Sequence, residues 1–153
     1  MTLPKLTEGS EHLVYLDQAK GDVVKLTRPR IFGESYFLVD GVVNQKNCTP
    51  FEYLVRLRLW KKLFGFAPLP LGITGQGQIV SRQRFIRGDP PSQEAVDRFL
   101  ESAGLVPVKR SCWLWKSAAD LNLMSVWVGD ARCDNFVARG AEIIPIDLRL
   151  WIS

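Results

Sequence analysis

With 153 residues, 46% of them hydrophobic, and a net charge of +4, the chain has the length and composition of one globular domain that folds without disulfides or a structural metal. Three widely spaced cysteines without a Cys-x-x-Cys pair, and a single histidine, argue against a zinc site. No secretory leader and no apolar run of about 20 residues is present, which favours the cytoplasm over export or membrane insertion.

The first third of the chain has the short apolar runs that are typical of strands. Two of them, residues 13–16 and 23–26, lie on either side of a turn signal at Lys20-Gly21-Asp22. A third run, residues 36–39, is followed by Asp40-Gly41, a pair that favours a turn.

The clearest helix signal follows Thr49. This residue can cap a helix, Pro50 suits the first helical position, and Glu52 completes a capping box three residues after the cap. Apolar residues then recur at helical spacing until Gly65, where the helix is expected to end.

The remainder of the chain predicts a hairpin, a second helix and further strands. The hairpin joins residues 71–74 to residues 78–81, and its second strand can run on to Phe85 and Ile86. A helix is expected from Ser92 to Gly104. The later strands are predicted at residues 112–115, 124–128, 136–138 and 143–146. Strands with two separated helices indicate an α+β fold.

Two features of the first third contain residues that can contact phosphate or form an ion pair. Gly9-Ser10-Glu11 leads into a strand, and Lys25 lies on the next strand, so backbone N–H groups and an ammonium group can approach the same phosphate oxygens. A lysine on a strand is more often simply solvated. Glu52 can form an ion pair with Lys25, but its position favours the capping box and the helix dipole.

The most specific motif lies near the C-terminus. Asp130 and Asn135 form an Asp-x-x-x-x-Asn sequence, and Asp147 follows the apolar run at residues 143–146. The first carboxylate can orient a hydroxyl nucleophile, and the Asn and the last Asp offer the oxygen ligands that magnesium prefers. A short loop followed by a hairpin would bring Asn135 and Asp147 side by side. The alternative is that these residues only form turns.

The order of these features resembles the plan of protein kinases and aminoglycoside phosphotransferases. More narrowly, it resembles the kinase-like domain of polyvalent proteins from phages and mobile elements. The segments that carry this resemblance are residues 9–15, 49–54, 81–88 and 144–147. It extends from about residue 9 to residue 147 and implies one minimal kinase-like domain, with a strand-rich N-lobe at about 1–85 that contains the long helix, a linker at about 83–91 and a reduced C-lobe at about 92–153.

The resemblance also implies a site for ATP and magnesium. Lys25 would contact the phosphates with Glu52 as its partner, Asp130 would be the catalytic aspartate, and Asn135 and Asp147 would bind the metal. The residues implied at the nucleotide are Gly9, Ser10, Glu11 and Lys25 at the phosphates, and Gln83, Phe85 and Ile86 at the adenine.

Several positions depart from the family pattern. Val128 stands where many relatives have His, Leu148 and Arg149 follow Asp147 without a glycine, and the phosphate loop is poor in glycine. The chain also stops at Ser153, so an activation segment and a helical substrate lobe are expected to be missing or supplied by another chain.

Three functions follow from the sequence. The first is a phosphotransferase that acts on a hydroxyl of a protein or a small molecule; the residues leave open whether it is active. The second is a pseudokinase or docking module with the same pocket and no catalysis. The third, less favoured, is nucleic-acid binding, suggested by the basic charge and by Arg82, Arg84 and Arg87 around Phe85.

Overall fold

The computed structural model describes residues 3–118 and 124–153, which divide into two compact units, one up to Phe85 and one from Ile86. The described residues combine strand-rich sheets with two α-helices, which confirms the α+β class. Neither helix is long and apolar enough to cross a membrane.

The first unit is built around an antiparallel sheet. Its strands in chain order are β1 (Lys5–Glu8), β2 (His12–Asp17), β3 (Asp22–Thr27), β4 (Glu34–Val39), β5 (Val42–Asn47), β6 (Leu69–Ile73) and β7 (Ile79–Arg84). Five of them form one sheet in the order β1-β2-β3-β7-β6, and β4 pairs with β5 as a separate hairpin.

The long helix α1 (Pro50–Phe64) lies between β5 and β6 in the chain. Thr49 accepts a hydrogen bond from the Glu52 N–H, the Glu52 carboxylate accepts one from the Thr49 N–H, and Gly65 ends the helix in the left-handed conformation at φ 79°. Both predicted helix ends are therefore confirmed. The buried face of α1 contributes Tyr53 and Leu57 to a core that also contains Ile79.

The described part of the second unit contains helix α2 (Gln93–Ser102) and six strands. These strands are β8 (Leu105–Lys109), β9 (Leu114–Ser117), β10 (Val126–Gly129), β11 (Phe136–Arg139), β12 (Glu142–Pro145) and β13 (Arg149–Ile152). A four-stranded sheet has the order β13-β10-β9-β8, and β11 and β12 form a hairpin. Val96, Leu100, Val128 and Phe136 are fully buried and anchor the core of this unit.

Most of the predicted elements are present, with two corrections. Cys112 does not begin a strand, because residues Arg110–Cys112 form a 3-10 turn and Trp113 has φ 48°, so that β9 begins at Leu114. Strand β7 stops at Arg84 and does not run on to Phe85 and Ile86; the Phe85 N–H adds one hydrogen bond to the Gly21 carbonyl, in register with β3, where the β2–β3 turn ends the partner strand.

The sequence patterns missed β1, β5, β8 and β13. Strand β1 is exposed along its whole length and β5 is polar after its first two residues, so neither shows the alternation of a half-buried strand. Their positions depend on backbone hydrogen bonds to a neighbouring strand, which a single sequence does not reveal.

Candidate functional site

The loop after β10 holds the first predicted catalytic residue. Strand β10 ends at Gly129, Asp130 takes a left-handed backbone conformation at φ 58°, and residues Cys133–Asn135 form a 3-10 turn. The Asn135 side chain closes this loop, since its Nδ2 donates to the Asp130 carbonyl oxygen over 2.7 Å. This hydrogen bond fixes the side-chain amide of Asn135, so that Nδ2 faces the Asp130 carbonyl and Oδ1 points away from it.

The hairpin that follows brings Asp147 to the same loop. Strands β11 and β12 pair with Phe136 opposite Pro145, so the residues that flank this pair are also neighbours. The Asn135 carbonyl accepts hydrogen bonds from the N–H groups of Ile146 at 2.8 Å and of Asp147 at 3.4 Å. The structure therefore brings Asn135 and Asp147 together at the backbone, with the Asp147 residue exposed.

Two arginines, which the sequence analysis did not single out, surround the Asp130 carboxylate. Arg132 Nε lies 2.9 Å from Asp130 Oδ1, and Arg149 Nε lies 4.0 Å from Oδ2. Arg132 also reaches Asp134 at 3.5 Å. These cations balance the negative charge of the loop. For Arg132, the available sequence signal was its position two residues after Asp130, inside the Asp-x-x-x-x-Asn motif.

A further residue that the sequence analysis missed is Gln93 at the start of α2. Its Nε2 donates to the Ala131 carbonyl over 2.9 Å, and its Oε1 accepts from the Cys133 N–H over 2.9 Å. One side chain thus holds two backbone groups of the Asp130–Asn135 loop. Gln93 lies 38 residues from Ala131 in the chain, so no local pattern could have indicated this role.

The residues present fit a magnesium ion that is delivered with a phosphate ligand. Asn135 and Asp147 offer an amide and a carboxylate oxygen, and magnesium is commonly bound by one or two protein oxygens together with waters and substrate phosphates. Among the described residues, no group of three or more His, Cys, Asp or Glu side chains could hold a metal. Asn135 and Asp147 remain the two oxygen donors that the sequence predicted for a metal.

The first unit holds Lys25 in the middle of β3. Lys25 lies opposite Val14 on β2 and Ser81 on β7, and only 7% of its surface is exposed. A lysine this well covered is not the solvated strand lysine that a bare sequence favours. Gln83 lies two residues further along β7, opposite Val23, and therefore on the same face of the sheet as Lys25.

The turn between β1 and β2 contains the predicted phosphate loop. Gly9 and Ser10 are exposed, and the Gly9 N–H is bonded to the His12 carbonyl at 2.9 Å. The Glu11 side chain is not on the surface of this turn, because it is buried in an ion pair with Arg56 of α1. Beside it, the buried His12 ring is hydrogen-bonded to the Tyr53 hydroxyl at 2.9 Å.

Glu52 is held at the N-terminus of α1. One carboxylate oxygen accepts from Lys46 Nζ at 2.8 Å, and the other accepts from the Thr49 N–H at 2.7 Å. These two hydrogen bonds, together with the charge of Lys46, lower the pKa of Glu52 to about 2. Both carboxylate oxygens are thus engaged at the helix cap, as the favoured interpretation of the sequence predicted, and not at Lys25.

Known proteins give no information about the function of this site. No family model matches the chain, and no curated protein and no solved structure is significantly similar to it. The candidate residues at the linker are accordingly described only by position: Phe85 is 38% exposed just beyond β7, and Ile86 is the first residue of the second unit.

Proposed function

We propose that the chain is a kinase-like phosphotransferase that binds ATP with magnesium and transfers the terminal phosphate to a hydroxyl group. We also propose that the α+β fold is of the kinase-like type and that the protein acts in the cytoplasm. The observation that carries it is the loop of the second unit, where the Asn135 side chain holds the Asp130 carbonyl at 2.7 Å and the Asn135 carbonyl accepts the Asp147 N–H.

Four side chains have a chemical part in the proposal. The hydroxyl oxygen of the acceptor forms a bond to the terminal phosphorus, the bond from that phosphorus to the bridging oxygen breaks, and ADP leaves. The Asp130 carboxylate orients the acceptor hydroxyl and receives its proton. Asn135 and Asp147 supply oxygen ligands to magnesium, and Lys25 contacts phosphate oxygens, as the sequence resemblance implies.

The binding part of the proposal is tested by thermal unfolding with and without magnesium and ATP. A ligand that binds only the folded chain at about 100 times its Kd adds about 2.7 kcal/mol of stability, which raises the Tm of a chain of this size by roughly 5–10 °C. We expect this rise in the wild-type chain and its loss in Asp147→Asn. Asp134→Asn is the matched control, because Asp134 lies in the same loop with 59% of its side chain exposed and loses the same charge.

The absence of any magnesium-dependent rise in the wild-type chain would contradict the proposal. An equal loss of the rise in Asp134→Asn and Asp147→Asn would show a general charge effect and would remove Asp147 as a metal ligand.

The catalytic part is tested with Asp130→Asn. Asparagine tolerates the left-handed backbone of this position, so the loop is expected to keep its shape. We expect the nucleotide-dependent rise in Tm to persist while ATP turnover falls at least about 100-fold, the usual contribution of a positioned acid or base. Unchanged turnover in the variant would show that Asp130 does not take part in the reaction.

The second candidate is a docking module that has lost catalysis. The observation that favours it is the ion pair between Asp130 and Arg132 at 2.9 Å, because this contact engages a carboxylate oxygen that would otherwise face the acceptor hydroxyl. This candidate predicts nucleotide binding, or none, and no turnover in the wild-type chain. Phosphate release from ATP by the wild-type chain, abolished in Asp130→Asn, would exclude it.

A further inference from the structure

A second basic site lies entirely within the first unit. A cleft of about 480 Å³ opens between the β2–β3 turn, the start of β6 and the end of β7. It is lined by three cationic side chains, one carboxylate, one amide and two apolar residues: Lys20, Arg82, Arg84, Asp22, Gln83, Ala67 and Leu69. The volume is in the range of small-molecule sites, and the charges of these ionisable groups sum to a net positive value.

The arginines of this cleft lie on the face of the sheet opposite Lys25. On β3 and β7, Asp22 pairs with Arg84 and Val24 pairs with Arg82, whereas Lys25 pairs with Ser81. Neighbouring residues of a strand point to opposite faces. The two arginines are therefore separate from the phosphate-contacting position proposed for Lys25, while Gln83, which shares the face of Lys25, also lines the cleft.

Asp22 holds both guanidinium groups in place. Its carboxylate oxygens lie 3.6 Å from Arg82 Nε and 3.6 Å from Arg84 Nη1, and only 12% of its side chain is exposed. Arg84 Nη1 also donates to the Lys20 carbonyl over 2.8 Å.

The outer ends of these cations remain accessible. The side chains of Arg84 and Lys20 are 77% and 65% exposed, and that of Arg82 is 37% exposed. The planar guanidinium group matches the geometry of phosphate oxygens, and one buried carboxylate cannot neutralise three cations. A phosphate group would complete the charge balance.

We propose that this cleft binds a small phosphate-bearing molecule. A volume of about 480 Å³ suits a small ligand, and the apolar residues Ala67 and Leu69 offer contact to the non-phosphate part of the ligand. The arginines of this cleft have no part in the phosphotransferase proposed above, whose adenine position shares Gln83 with the cleft.

The experiment is calorimetric titration of the full chain with inorganic pyrophosphate in metal-free, low-salt buffer. We expect saturable binding that weakens about tenfold in Arg84→Gln, the size of effect expected for one charge-assisted hydrogen bond. Arg58→Gln is the matched control, since Arg58 is an exposed cation on α1 of the same unit. Its affinity is expected to stay within about twofold of the wild type.

Asp22→Asn should have the opposite effect. Removal of the carboxylate takes away its repulsion of the incoming anion, so affinity is expected to rise about threefold or more. If this variant does not fold, the comparison of Arg84→Gln with Arg58→Gln still decides the matter.

Three results would overturn the proposal. The first is no saturable binding of pyrophosphate, or the same loss in Arg84→Gln and Arg58→Gln. The second is an equal loss in Arg132→Gln, which would place the anion at the loop of the second unit. The third is tighter binding of a single-stranded oligonucleotide of about 10 nucleotides, with a steep salt dependence that Arg84→Gln reduces, which would assign the cleft to nucleic acid.

Discussion

Gly33 lies where the chain passes over the buried ion pair between Glu11 and Arg56. Its φ of +82° is in the left-handed region, and a Cβ atom there would overlap the Arg56 guanidinium and lie 2.6 Å from Glu11 Cδ. Glu11 and Arg56 are only 8% and 2% exposed, so they have little room to move away. A side chain at this position must therefore strain the backbone and displace a buried ion pair.

Gly33→Ala should destabilise the chain by about 3 kcal/mol, the sum of left-handed strain and the disturbed ion pair. Gly41→Ala is the control, because Gly41 has a similar φ of +77° and open space around its would-be Cβ. Its cost should be about 1 kcal/mol, from the strain alone. The measurement is denaturant unfolding of both variants, and equal costs would contradict the role of Gly33 as a contact surface for the ion pair.

Individual residues also show which contacts a local sequence pattern cannot predict. Glu11 looked like part of an exposed phosphate loop because its neighbours Gly9 and Ser10 are turn formers, yet its carboxylate pairs with Arg56, 45 residues away. A pattern of a few residues contains no information about such a partner. The capping role of Glu52 was readable because all its partners lie within six residues.

At the scale of the element, the capping box and the ion pair between Lys46 and Glu52 stabilise the first turn of α1. The pKa of Glu52 in the folded chain, about 2, is below its ordinary 4.5. A carboxyl group with a lowered folded pKa contributes stability above its unfolded pKa and loses it as the pH falls towards the folded one. The contribution of Glu52 is therefore complete above about pH 5 and declines between pH 4.5 and pH 2.

Glu52→Gln should cost about 1 kcal/mol at pH 6, a value reduced by solvent screening because 35% of the Glu52 side chain is exposed. The difference from the wild type should shrink as the pH is lowered to about 3, since the Glu52 carboxyl of the unfolded chain then binds a proton while that of the folded chain is still largely ionised. Thr49→Ala is the comparison, with a cap loss of about 1 kcal/mol at both pH values. Urea unfolding at the two pH values measures these differences, and a pH-independent cost of Glu52→Gln would rule out the proposed ionic contribution.

In the loop between β10 and β11, the sequence predicts some contacts of the candidate site, and only the packing of distant elements determines the others. The spacing from Asp130 to Asn135 and on to Asp147 predicted a loop followed by a hairpin, and the structure contains both. The support of the loop by Gln93 of α2, and the pairing of Asp130 with Arg149 of β13, depend on how separate elements of the unit pack. These contacts join residues far apart in the chain, so the motif alone could not indicate them.

At the scale of the whole molecule, net charge opposes self-association. The chain carries +4 at pH 7 and has a pI of about 9.1, so this repulsion disappears as the pH approaches 9. One edge of the larger sheet is formed by β6, whose apolar side chains Leu69, Leu71 and Ile73 are 53%, 51% and 69% exposed. An exposed apolar edge strand is a site for pairing with another chain.

Light scattering in low salt should therefore increase between pH 7 and pH 9. Ile73→Lys should suppress this increase, because it adds a charge and interrupts the apolar edge at once. Gln76→Lys, in the exposed turn between β6 and β7, adds the same charge without changing the edge and is expected to act more weakly. Equal suppression by both variants would mean that charge alone controls association and that the β6 edge has no part in it.

The sequence by itself determined the α+β class, both ends of α1, the start of α2, most strands and the loop from Asp130 to Asn135. These follow from caps, turn formers and periodicity, which act over a few residues. Only the tertiary structure decided that Glu11 is buried against Arg56, that Asp22 gathers Arg82 and Arg84 into a basic cleft, and that Gln93 supports the candidate loop. Each of these depends on strand register or on packing between distant segments, where a shift of one residue would send every side chain to the other face.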